Sequence, residues 1–341
     1  MTMTIIYNKL KTQLSLFSTL VRYTLCLFFL SLLATSCRQK DNSVAPAKCE
    51  GYFVSIINTG VTEIRNSLCL TNAENNGFEN GADVSASWGE LNWRNGRYYH
   101  ITSYSKGTIF KYLNIDAFMK HEMGTYLLHD TSNPAPAYYK LICNSLSDIL
   151  YCFTFQSDSC KLYEVSRNGI FNVRLIGVYD SSYDTWSADV DENSGNIYAI
   201  CGNKLKKIDP NTGNSFDIAT YTNALPEKLF YNDNDKFFYA LEGREQFKNI
   251  GHFRLLRINP TDGILNVQGI IDGMDSINYR QIAFDHCNNQ LIYLRDENPS
   301  SSFYRDAYWV NLNDASIASS LLNIWSGPLI GYVNGKFPER N

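Results

Sequence analysis

The sequence predicts an all-β fold made of one repeated unit, and three observations predict it. Aromatic residues make up 14% of the 341 residues, with 23 Tyr and 19 Phe, against 19% charged residues. That balance suits pleated, half-buried strands better than exposed helices. A short phrase, an apolar residue followed by Asn or Asp and then by a tyrosine at a fixed distance, recurs along the chain. Asx- and Gly-rich turns such as "IDPNTG" (208–213) and "INPTDG" (258–263) punctuate it at similar intervals, as short strands joined by tight turns require.

The phrase occurs five times: Leu91-Asn92 before Tyr99, Cys143-Asn144 before Tyr151, Val190-Asp191 before Tyr198, Tyr231-Asn232 before Tyr239, and Phe284-Asp285 before Tyr293. The gap from the apolar residue to the tyrosine is eight residues in four cases and nine in the last. Each unit reads as an apolar strand, an Asx-led turn, a tyrosine-bearing strand, a third strand and, after a further turn, a fourth. Four strands per unit, with 41 to 54 residues between successive tyrosines, is the period of a β-propeller blade. Five blades are expected at about 84–128, 137–179, 186–221, 228–271 and 280–322. The leftovers fit each other. "GPLIGYVNGKF" near the C-terminus reads as a first strand with its Asn-Gly turn, and "GYFVSIINTGVTEI" (51–64) reads as a third strand, a turn and a fourth. The expectation is a six-bladed β-propeller over residues 49–341, its ring closed by N-terminal strands pairing with the C-terminal strand, which removes the exposed sheet edge.

Residues 1–36 read as a leader. Lys9, Lys11 and Arg22 are basic, no acidic residue occurs, and "YTLCLFFLSLL" (Tyr23 to Leu33) is apolar but too short for a membrane-spanning helix of about 20 residues. It ends in "LLATSC", which resembles the lipobox of bacterial lipoproteins. The resemblance implies lipidation at Cys37, a tether over 37–48, and an address in the bacterial cell envelope, at the outer membrane. An ordinary secretory leader cut near Ser36 is the alternative. Losing the three basic residues of the leader takes the formal charge from -4 to -7. With no clustered Lys and Arg, nucleic acid is not an expected partner. Seven cysteines follow Cys37, an odd number, so at least one thiol is unpaired. Cys49 and Cys69, close together in the expected closing hairpin, are the candidate disulfide. No CxxC pair supports zinc.

Local motifs for chemistry are poor. "SYSK" (103–106) lacks the partner motifs of a serine acylation site. "DVDENSG" (189–195) places its glycine one position late for a calcium loop, with Ile200 where a glutamate belongs. "SYDTW" (182–186) lacks the glycine of a sialidase Asp-box, and His121-Glu122 does not extend to HExxH. Neither cofactor nor metal is expected.

The repeat resembles the six-bladed propellers found among exported bacterial lipoproteins, a superfamily of binding modules, scaffolds, lactonases and glycan-active enzymes, so the fold does not select an activity. Length varies on one face only. The connections between second and third strands are long in the fourth and fifth blades, "EGREQFKNIGH" (242–252) and "RDENPSSSFYRD" (295–306), and insertions gathered on one face mark a binding face. Counting back four residues from each aligned apolar position places Tyr139, Trp186, Glu227 and Arg280 at the channel mouth, with Arg244, Phe247, Tyr304 and Arg305 from the long connections around it. Such an aromatic-rich mouth suits a sugar ring or a partner's side chain. The resemblance implies carboxylate and amide ligands for the cation of a propeller lactonase. Glu227 is the single acidic residue at these positions, which argues against that chemistry. The expectation is a membrane-anchored, non-catalytic propeller for a carbohydrate or protein ligand. The rivals are a glycan-active hydrolase or lyase using Glu242, Glu245, Asp296 or Glu297, and a scaffold subunit of an envelope assembly.

Overall fold

Alternation of apolar and polar residues with a period of two, interrupted by Asx and Gly turns, folds the described residues into β-strands. The computed structural model describes residues 51–58, 66–71, 78–80, 89–104, 107–115, 119–126, 138–156, 159–180, 183–222, 226–242, 252–272, 282–295, 304–325 and 329–334. The chain divides into Met1–Lys48 and Cys49–Asn341, and the described residues belong to the second unit.

Five sheets each take four consecutive antiparallel strands. They are β4 to β7 (Gly89–Asn92, Arg97–Tyr104, Gly107–Asn114, Met119–Tyr126), β8 to β11 (Tyr138–Asn144, Ile149–Gln156, Ser159–Arg167, Ile170–Asp180), β12 to β15 (Tyr183–Val190, Ile197–Cys201, Lys204–Ile208, Ser215–Thr220), β16 to β19 (Lys228–Asn232, Phe237–Glu242, His252–Ile258, Leu265–Asp272) and β20 to β23 (Ile282–Asp285, Gln290–Arg295, Tyr304–Asn311, Ile317–Trp325). These are the five blades, each within a few residues of its expected bounds. One further sheet joins the chain ends in the order β24-β1-β2-β3, from Leu329–Asn334, Gly51–Asn58, Asn66–Thr71 and Phe78–Asn80. Here the strand assignment differs from expectation. Gly51–Asn58 lies directly against Leu329–Asn334, with Gly51 opposite Asn334 and Phe53 opposite Tyr332, so it is the second strand of its sheet and not the third. The apolar alternation of "GYFVSIIN" fits either position, because both flank an inner neighbour.

The Asx turns form as the side-chain chemistry requires. The Oδ1 atoms of Asn92, Asn144, Asp191, Asn232 and Asp285 accept from the backbone N–H of Arg94, Ser147, Asn193, Asn234 and Asn288 at 3.1, 3.0, 3.0, 3.1 and 3.0 Å. Asp209 in "IDPNTG" does the same for Asn211 at 2.9 Å. This turn closes at Gly213 (φ +74°), where an added Cβ would lie 2.2 Å from the Ile176 carbonyl oxygen of the neighbouring blade; only glycine suits both the backbone angle and the approach. "DVDENSG" is therefore a strand end and an Asx turn.

The core lies between blades. Tyr99, Ile101 and Phe110 of the first blade pack on Leu141, Cys143 and Leu150 of the second, and Tyr151 and Phe153 of the second pack on Val190 and Ile197 of the third. Tyr198 and Ile200 meet Leu229 and Tyr231, and Tyr239 and Leu241 meet Ile282 and Phe284. The fifth tyrosine departs from the pattern. Ile292 and not Tyr293 lies opposite Ala283, as Tyr239 lies opposite Phe230. The extra residue in its gap turns Tyr293 to the other face of its blade, against the fourth-blade cluster, as a shift of one residue must.

Candidate functional site

The inner strands β4, β8, β12 and β16 lie side by side, and each delivers one charged side chain to the centre. These are Glu90, Lys140, Asp189 and Lys228, all half-buried. Lys140 Nζ lies 3.5 Å from Glu90 Oε2. Asp189 Oδ1 accepts from the Val190 N–H at 2.8 Å, and its Oδ2 from the Tyr231 N–H of the next blade at 2.7 Å. Lys228 Nζ donates to the Ile282 carbonyl at 3.3 Å, tying the fourth blade to the fifth.

Enclosure by protein shifts two of these groups. Burial pushes the Asp189 carboxyl up to about 7; the Tyr231 N–H opposes this, the Glu90 charge adds to it, and the Val190 N–H and Lys140 oppose it. Burial likewise pushes Lys228 down to about 7, reinforced by Lys140 and opposed by Glu90 and Asp189. An acid and a base that both change charge near neutrality therefore share one channel.

The channel end formed by the first-to-second-strand turns is crossed by a strap. Arg94, in the first blade's turn, reaches Glu192 in the third with Nε and Nη2 at 3.2 and 3.0 Å, and also pairs with Asp233 in the fourth. Trp93 beside it stacks on His286 of the fifth blade with centroids 3.8 Å apart and planes at 8°, while the Arg94 guanidinium sits 4.2 Å from the Trp93 centroid. His286 Nδ1 lies 3.6 Å from Asp233 Oδ1. Four blades are thus linked across one end of the channel.

Other carboxylates serve the frame. Asp148 accepts from Asn92, Asn95 and Tyr99 and pairs with Arg97 at 2.6 Å, joining the first two blades. Glu164 pairs with Arg167 and Arg174 at 3.1 and 2.7 Å; despite burial, hydrogen bonds from the two guanidiniums hold its carboxyl below the usual range. Glu242, a candidate acid of the enzymatic reading, is fully buried and paired with Arg254. Glu245, Asp296 and Glu297 lie outside the described residues. Among the described residues no cluster of three His, Cys, Asp or Glu could hold a metal ion.

Of the residues expected at the mouth, Glu227 is half-buried and its N–H donates to the Leu241 carbonyl at 2.8 Å. Tyr139 lies on β8 opposite Thr154, and Trp186 lies on β12 between Asp184 and Ala188, where the register shifts. Tyr304 and Arg305 lie on β22 opposite Trp325 and Ile324. Arg244, Phe247, Arg280, Cys37 and Cys49 lie outside the described residues. The long connections fall where expected. Residues 243–251 join β17 to β18 and 296–303 join β21 to β22, against 105–106, 157–158 and 202–203 in the first three blades. Sequence reasoning missed the charged ring because counting back four residues stays on the face of the aligned apolar residue. Glu90 and Asp189 stand one residue back and Lys140 and Lys228 three, on the opposite face. An odd-offset count through the same alignment would have found them.

No family model matches the chain, and no curated protein is similar to it in sequence. Solved structures are similar in fold. TolB from Acinetobacter baumannii superposes with a TM-score of 0.57 at 9% identity, over 83% of this chain and 66% of that one. An oligogalacturonate lyase from Vibrio parahaemolyticus gives 0.51 at 10% identity, over 80% and 74%. A periplasmic gluconolactonase from Pseudomonas aeruginosa gives 0.50 at 10% identity, over 83% and 98%. Their names span different activities, so the likeness carries the architecture alone: the chain has an all-β propeller fold.

Proposed function

We propose that this chain is a lipid-anchored binding propeller of the bacterial cell envelope, closed as a six-bladed ring, that takes a glycan or protein ligand at one face without catalysis. The observation that carries the reading is the pair of long connections, 243–251 and 296–303, on neighbouring blades at one end of the channel. The strap of Trp93 and Arg94 crosses the other end, which favours access from the long-connection side. Pairing of β24 with β1 supports the closed ring. Burial of Glu242 against Arg254 removes one acid from the hydrolase or lyase reading and so favours binding.

The binding test compares Trp186→Ala and Arg280→Ala with Asn211→Ala, a substitution in an exposed turn at the strapped end, on a glycan array and against envelope proteins. Stacking on Trp186 should dominate for a sugar, and Trp186→Ala should weaken binding by about 1–3 kcal/mol, as losses at anchoring aromatics do, with unchanged melting. Mouth variants that bind like wild type while Asn211→Ala loses binding would move the site to the strapped face and overturn the choice of face. Anchoring is tested separately: labelled palmitate should enter the wild-type chain and not Cys37→Ser. A wild-type chain that stays unlabelled and soluble removes the anchor from the proposal.

A further inference from the structure

Cys287 stands in the turn joining β20 to β21 and is disulfide-bonded. Cys143, Cys152, Cys160 and Cys201 are free and buried, so its partner is one of the remaining cysteines: Cys26 in the leader, Cys37, Cys49 or Cys69. Under the proposed export Cys26 leaves with the leader and the Cys37 thiol carries the lipid, and strand register separates the other two. β20 and β21 pair Asp285 with Gln290, so Cys287 lies at the end of the sheet where first strands run into second strands. In the neighbouring sheet the same end is where Asn334 of β24 faces Gly51 of β1, and β24 packs on β20. Cys49 is two residues from Gly51 along the chain. Cys69 sits in β2 opposite Ser55, four residues up the strand from Gly51 and two strands from β24. With strands about 4.8 Å apart and a rise of about 3.3 Å per residue, that is more than 10 Å from the turn end. A disulfide needs Cα atoms about 4.4–6.8 Å apart.

We propose that Cys49 and Cys287 form a disulfide that clasps the N-terminal segment to the last consecutive blade. The register also argues against the Cys49–Cys69 pair expected from sequence, because Cys69 faces Ser55. The bond forms with loss of a proton and an electron from each thiol, and the two electrons and two protons pass to the disulfide of an oxidoreductase in the exported compartment, which is reduced to a dithiol. The clasp rests on the proposed export for that oxidant. Its position is independent of the ligand.

The test is peptide mapping by mass spectrometry of the full chain, alkylated under denaturing conditions without reduction, taken once from the envelope fraction and once after purification and oxidation in a glutathione redox buffer. Both samples should give a peptide joining Cys49 to Cys287, which disappears on reduction, while Cys69 is alkylated. In Cys49→Ser, Cys287 should become alkylatable; in Cys69→Ser the joined peptide should persist. A peptide joining Cys287 to Cys69, or an alkylated Cys287 in the glutathione-oxidised wild type, overturns the clasp. An alkylated Cys287 in cells together with a joined peptide in the glutathione sample supports the clasp and counts against export.

Discussion

Asp189 and Lys228 make stability depend on pH in opposite directions. Between the ordinary carboxyl value and about 7, native Asp189 holds a proton that the unfolded chain has released, so stability falls as pH rises through that window. Between about 7 and the ordinary lysine value, the unfolded chain holds a proton that native Lys228 lacks, so stability rises with pH there. The pair together puts a minimum near neutrality. Asp189→Asn should abolish the falling limb, so that its stability relative to wild type improves by a few kcal/mol between pH 4 and pH 8. The amide keeps an acceptor for only one of the two backbone N–H groups, which costs about 1 kcal/mol at every pH. The readout is therefore the difference in slope from chemical denaturation across that range. Parallel pH profiles for variant and wild type would mean that Asp189 is ionised throughout and does not face an enclosed channel.

At the scale of elements, what was legible in the sequence was local. An Asx side chain two or three residues before the N–H it accepts from leaves its mark within a single turn, so all five first turns were readable. The blade period followed from the tyrosines for the same reason. Tyr293 shows the limit: a gap of nine rather than eight looked like tolerance in the repeat, yet one residue reverses the face of a strand, and Ile292 holds the equivalent place. The same parity rule hid the charged ring from a count that aligned only one face. Contacts between turns far apart in sequence left no signal. Arg94 meets Glu192 and Asp233 across 98 and 139 residues, and no spacing along the chain announces that a Trp-Arg pair in one turn will cross a channel. Gly51–Asn58 was recognised as a strand but placed one position too far out, because alternation reports a buried face and not a neighbour, and the strands Asn66–Thr71 and Phe78–Asn80 that follow it were not assigned.

For the whole molecule, the unusual sheet is the one that joins the ends. The strand Leu329–Asn334 comes last in the chain but lies between β1 on one side and the inner strand β20 on the other, and it also touches β4. In the proposed ring it is the sixth inner strand, and its loss would leave the N–H and C=O groups along Gly51–Ser55 without partners. An exposed β edge of this kind invites association between molecules, and a domain whose net stability is about 5–15 kcal/mol has little reserve against losing a central strand. Deleting residues 328–341 should therefore cost several kcal/mol, seen as a fall in the denaturation midpoint together with self-association in light scattering. The comparison belongs in reducing buffer, where a Cys49–Cys287 bond cannot hold the N-terminal strands in place. If the truncated chain melts and scatters like the full-length protein, the strand is an accessory to a ring that closes without it, and the six-bladed closure fails.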